Sequence, residues 1–153
     1  MADHSDPSGV PDLSISAGAL HFSARWEPLA PGTIEAVRRL LPMGERLIHV
    51  RWSGEATWIP LGDRELGVGS ENQTSHPAPG EILVYTGSAS EREILLPYGA
   101  CDFSSRVGQL AGNHFATVMP EAGETYEQLR ERLRELGRRC LWEGAQEIII
   151  EEG

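Results

Sequence analysis

The chain has 153 residues, 40% hydrophobic and 24% charged, with a formal net charge of -10. That length suits one domain with a core of its own, and the acidic balance argues against nucleic acid and anionic membrane partners, which need clustered positive charge. All 13 basic residues are Arg, which excludes a lysine Schiff base and a P-loop.

Residues 1–11 are polar and carry Pro7, Gly9 and Pro11. They read as a disordered tail ahead of a domain over 12–153. No basic stretch leads into an apolar one there, and no run approaches the ~20 apolar residues of a membrane span, so the expected location is cytoplasmic. Cys101 and Cys140 then read as reduced thiols. Over 19–28, Leu20, Phe22, Ala24 and Trp26 alternate with polar residues, as in a half-buried strand. Residues 31–42 predict a short helix with Ile34, Val37, Leu40 and Leu41 as its apolar stripe, Thr33 capping its start and Pro42 ending it. Residues 46–63 read as a hairpin turning at Ser53-Gly54. That register sets Trp52 opposite Glu55, Val50 opposite Thr57 and Ile48 opposite Ile59 on an inward face. His49, Arg51, Ala56 and Trp58 share the other face.

A glycine- and proline-punctuated loop follows over 61–80. A second hairpin comes next, with strands near 81–86 and 92–97. An irregular connection over 98–112 leads into a strand over 113–119. Thr125 and Gln128 make a capping box for an amphipathic helix over 125–139, with Tyr126, Leu129, Leu133, Leu136 and Cys140 on one face. Residues 145–152 close the chain as a strand. The strands outnumber the helices and do not alternate with them. The fold is therefore mainly β, a barrel or a sandwich.

The tracts "IHVRWSGEATWIPLGD", "ENQTSHPAPGEILVY", "EILLPYGACDFSSRVGQLAGNHFATV" and "LWEGAQEIIIEE" together resemble an uncharacterised bacterial domain-of-unknown-function family with a cyclophilin-like barrel. The resemblance covers roughly 13–152. It implies a cyclophilin-like closed antiparallel β-barrel of about eight strands with two helices, and it carries no settled activity. Cyclophilins isomerise X-Pro bonds with an outer-face arginine, a position Arg51 matches only by loose analogy. Opine synthases of the cucumopine type, which contain a similar barrel, condense histidine with a 2-oxo acid. Fold does not carry function in either case.

Several residues have chemistry of their own. His114 opens a strand at a rim, where an imidazole can move a proton; equally, Asn113 and His114 can tie a loop to the barrel. Arg51 can clamp a carboxylate or stack on Trp58. Glu55, if packed on Trp52, is a reserve acid or base. His49, Trp58, Tyr98, Ser105, Gln109 and Asn113 complete an expected ligand pocket. No cofactor motif is present. The histidines His49, His76 and His114 lack metal-ligand spacing, so no metal site is expected. Neither a G-x-S-x-G elbow nor a dinucleotide fingerprint occurs.

The leading expectation is a non-redox small-molecule enzyme of lyase, isomerase or cyclase type. It would act on a polar or carboxylate-bearing metabolite, with Arg51 and His114 meeting in one hollow. A non-catalytic binding or enzyme-accessory module and a prolyl isomerase are the alternatives. Exposed aromatics such as Trp58 and Trp142 leave a homo-oligomer open.

Overall fold

The computed structural model of the protein describes residues 10–153. The expected tail lies outside the described residues up to position 9. The elements in chain order are β1 (Leu13–Ala17), β2 (Leu20–Trp26), α1 (Pro31–Arg38), β3 (Met43–His49), β4 (Gly54–Gly62), β5 (Gln73–Thr74), β6 (Glu81–Tyr85), β7 (Arg92–Cys101), β8 (Ser104–Ser105), β9 (Gly108–Gln109), β10 (Gly112–Met119), α2 (Tyr126–Trp142) and β11 (Gln146–Glu152).

The sheet runs β2-β1-β11-β3-β4-β7-β6-β10, and β10 pairs back onto β2. The result is a closed eight-stranded barrel, antiparallel at every seam. Closure leaves no long unpaired edge. The short β5 adds to β10 beside its start. Strand β1 carries only a five-residue alternation, with Leu13, Ile15 and Ala17 buried, too short to mark a strand by pattern alone.

Ile15, Leu47, Ile59, Ile82, Ile94, Leu96, Ile148 and Ile150 meet inside the barrel around a void of about 10 Å³. Such a lumen is packed shut by branched side chains and holds no ligand. The helices close the two ends. Near Met43 and the start of β10, α1 contributes the buried Thr33, Ala36 and Val37. At the other end α2 lays Leu129, Leu133, Leu136 and Cys140 against β3, β4 and β7. The capping box of Thr125 and Gln128 forms as expected. No helix among the described residues is long and apolar enough to cross a membrane.

Two local expectations are corrected. Thr33 does not cap α1 from the N-cap position, which Ala30 holds without a side-chain bond. Instead the Thr33 backbone N–H and hydroxyl both donate to the Glu71 carboxylate from the long loop. The free N–H groups of a helix start accept such a remote anion. The β3–β4 register is also one residue away from expectation: Ile48 faces Trp58, and His49 faces Thr57. Because side chains alternate, that single step turns Ile48 outward and His49 toward the barrel end. The cause is a looser turn: β4 starts only at Gly54, and residues 50–53 form a loop rather than a tight hairpin.

Candidate functional site

The outer face of the barrel carries an apolar cluster of its own. Ala56, Leu83, Tyr85 and Leu95 point outward and are covered by Phe103 and Leu110, with Val50 and Trp58 packed alongside. Phe103 and Leu110 flank the small β8–β9 hairpin, which folds back over the sheet. Two glycines allow this. Gly108 turns the hairpin at a φ of +123°, a conformation that L side chains avoid. Gly112 lets Phe103 approach: a Cβ there would lie 3.1 Å from the ring.

Beside that cover is an open cavity of about 440 Å³, within the usual range for a small-molecule pocket. The β3–β4 loop supplies Arg51 and Trp52 to it, the barrel wall Ile48, Trp58 and Glu93, the β6–β7 loop Ser90 and Glu91, and the β8–β9 segment Ser104, Ser105 and Arg106. Trp52 is 57% exposed at the rim.

Glu93 is the unusual member. It pairs with Tyr85 on one side and Pro60 on the other, so its side chain stands on the outer, apolar face. It is 8% exposed, and its carboxyl has no hydrogen-bond partner among the described residues. Since every fully buried side-chain N or O atom there does have a partner, the carboxyl oxygens keep some open surface, and they meet the cavity. Burial, helped by the neighbouring Glu91 charge, pushes its pKa up to about 8. At neutral pH Glu93 is a carboxylic acid able to donate a proton.

The expected site residues divide among separate places. Arg51, His49, Trp58 and Ser105 line this cavity. Among the described residues Arg51 stacks on no ring: the cation–π pairs there are Arg38 over Trp26 and Arg132 over Phe22. His49 Nδ1 donates to the Val50 carbonyl at 2.8 Å, so Tyr98 O–H donates to Nε2 at 2.7 Å. Both ring nitrogens are therefore engaged, and His49 fixes the start of the loop that presents Arg51 and Trp52. Tyr98 itself lines a second hollow of about 400 Å³ under α2, with Glu55, Arg130 and Arg134. Its pKa is raised by burial, then by the charges of Glu55 and Cys140.

The structure does not bring His114 to Arg51, contrary to expectation. His114 Nε2 bonds Thr117 Oγ1 at 2.8 Å, and Thr117 donates to Glu27 at 2.6 Å; none of these three residues lines the cavity. Glu55 does not face Trp52 either. Its carboxylate accepts the Ala100 N–H at 2.8 Å in the second hollow. Gln109 is exposed and donates to Asp102. Asn113, 1% exposed, ties Thr33, Gly69 and Glu71 together at the α1 end. His76 sits beside Asp102 at 3.6 Å, and among the described residues no group of three His, Cys, Asp or Glu is placed to hold a metal ion. Burial raises the Cys101 and Cys140 thiols to about 12 and about 11, too high for nucleophiles.

Sequence reasoning missed Glu93 and Arg106. The signal for Glu93 was the alternation Glu93, Leu95, Pro97 in "EREILLP". It becomes legible only once Leu95 is known to face outward beneath Phe103.

The position of Tyr98 makes its own prediction. A Cβ on Gly137, inside the 17-residue α2, would sit 2.4 Å from the Tyr98 ring. Gly137→Ala should therefore lower stability by about 1–2 kcal/mol, although alanine favours helix by ~1 kcal/mol. Thermal melts of Gly137→Ala, Tyr98→Leu and the double variant check this. The double variant should lose less than the sum of the two single losses; strict additivity would contradict the contact.

Among solved structures, the chain is similar to one described as the structure of McbB in complex with tryptophan, with a TM-score of 0.68 at 18% identity. The match covers 92% of this chain and 44% of that one, so the chain spans less than half of that protein and shares its barrel fold. No curated protein matches the chain. The family described as "Protein of unknown function (DUF3830)" matches residues 13–151, nearly the whole barrel, and the chain belongs to that family.

Proposed function

We propose that the outer-face cavity is the active site of a small-molecule enzyme working by acid–base chemistry, with Glu93 as the acid and Arg51 as the anchor for a carboxylate. The observation that carries this reading is an unpartnered, buried carboxyl in the wall of a ligand-sized cavity whose rim bears a guanidinium without a carboxylate partner among the described residues. A carboxyl shifted by burial and a neighbouring charge, and set in a cleft, is a candidate functional group. Trp58 and Trp52 add flat apolar surface, so the favoured ligand has an aromatic or planar body. The similar structure of McbB, a protein that contains a barrel of this fold, is in complex with tryptophan, an aromatic carboxylate, and that supports the class. Glu93 thus takes the proton-moving role the sequence suggested for His114, and Arg51 keeps its own.

Calorimetry with tryptophan and indole-3-acetate on the wild-type chain tests the reading. Binding should weaken by roughly tenfold or more in Arg51→Gln, as expected when a charge-assisted hydrogen bond is lost. Glu93→Gln should keep binding while losing about 100-fold or more of any turnover found by mass spectrometry. Ligands recovered unchanged at full occupancy would leave a binding module. Affinities indifferent to Arg51 would remove the site.

A further inference from the structure

The second arginine of the cavity has no explanation in a site built for one carboxylate. Arg106 reaches the hollow from the β8–β9 turn, and Arg51 from the β3–β4 loop. Neither has a carboxylate partner among the described residues. Shortage of acid is not the reason, since the chain has 23 Asp and Glu against 13 Arg. Of the other eleven arginines, Arg38, Arg64, Arg92, Arg132, Arg134, Arg138 and Arg139 sit within 4.0 Å of a carboxylate, and Arg25, Arg39, Arg46 and Arg130 have no carboxylate partner among the described residues; what sets Arg51 and Arg106 apart is that both line one cavity.

Glu91 lines the same hollow and Asp102 lies just ahead of β8, yet neither pairs with Arg51 or Arg106. Glu91 accepts the Gly62 N–H at 3.2 Å. Asp102 takes the Gln109 amide at 2.7 Å and lies beside His76. Guanidinium groups stay charged, so two of them lining one hollow favour an anion beside each. One singly charged ligand satisfies one of them.

We propose that the cavity selects small planar molecules with two anionic groups, dicarboxylates in the first instance, one end held by Arg51 and the other by Arg106 across the Trp52 and Trp58 surfaces. This rests on the reading of the cavity as a ligand site and adds the second charge. The clamp is built from two loops separated in sequence, so it measures the distance between the two anions. Selection by spacing is the expected consequence.

The test is titration calorimetry of the full chain with benzoate and the three benzene dicarboxylates, in wild type, Arg51→Gln and Arg106→Gln. Both side chains are exposed, so both variants should fold with wild-type melting temperatures. At least one dicarboxylate isomer should bind tenfold or more tighter than benzoate, with an affinity that falls as salt rises. Arg106→Gln should reduce that isomer to the benzoate level. If benzoate binds as tightly as every dicarboxylate, or Arg106→Gln changes nothing, the two-anion clamp is wrong and the cavity reading stands. If wild type binds none of the four compounds, nor the aromatic carboxylates above, both fall.

Discussion

Glu93→Gln is expected to raise the melting temperature, and to raise it more as the pH increases. The native protein holds the Glu93 proton up to about pH 8, whereas the unfolded chain releases it near 4.5. Between those values the folded state binds more protons than the unfolded one, so stability falls as pH rises. The loss is about 1.4 kcal/mol per pH unit across that window, on the order of 3 kcal/mol by pH 7. Glutamine keeps the shape and does not ionise. Near pH 4, where Glu93 is mostly protonated in the folded and the unfolded chain alike, variant and wild type should melt within about a degree or two of each other. By pH 8 the variant should lead by roughly 8–16 °C, given the usual conversion for a chain of this size. A gap that stays flat from pH 5 to pH 8.5 would show that Glu93 ionises normally. The same ionisation sets a functional limit: as a proton donor Glu93 loses its proton above about pH 8, so turnover should decline there. A group that costs the fold stability at working pH, placed against a ligand-sized cavity, fits the usual trade between stability and activity.

Asn113→Ala is expected to destabilise by about 3–4 kcal/mol, a fall of roughly 10 °C. The Asn113 amide donates to Thr33 Oγ1 at 3.0 Å and to the Gly69 carbonyl at 2.8 Å, and its oxygen accepts the Glu71 N–H at 3.2 Å. Truncation strands the Gly69 carbonyl and the Glu71 N–H and leaves a small void. It also loosens Glu71, whose carboxylate holds the start of α1. Hydrogen exchange should then quicken in residues 63–72 and in the first turn of α1, more than in the barrel strands. Ligand affinity at the outer-face cavity should remain within about twofold, because distant, independent sites do not couple. A variant that melts like wild type but loses ligand would return Asn113 to the pocket where its sequence position first suggested it.

The barrel was legible in outline because its evidence is local. Alternation in 19–28, the capping box at Thr125 and Gln128, and the Ile-rich close of the chain each mark an element from its own residues. The site was legible only in part, for reasons of register and pairing. A one-residue difference at Ile48 and Trp58 exchanges the inner and outer faces of β3, and no pattern in "RLIHVRWSGEATW" decides it. With the register shifted, His49 lines the cavity with both ring nitrogens already bonded, to the Val50 carbonyl and to Tyr98. His114 and Arg51 were joined in expectation because both are chemically apt; which wall each occupies depends on strand order β6-β10-β2 against β3-β4-β7, a non-local fact. Glu93 was passed over because a Glu within "EREILLP" looks like an ordinary solvated residue until Phe103 and Leu110, from a segment read as irregular, are seen to cover that face.

The most direct test is a carbon-13 NMR titration of the side-chain carboxyl of Glu93, identified by its disappearance in Glu93→Gln, with and without a bound aromatic carboxylate. The expected result is a midpoint near 8 in the free protein that moves when the ligand occupies the cavity. A midpoint near 4.5, indifferent to ligand, would mean that the carboxyl is an ordinary surface acid and that the outer-face cavity is not an acid–base site.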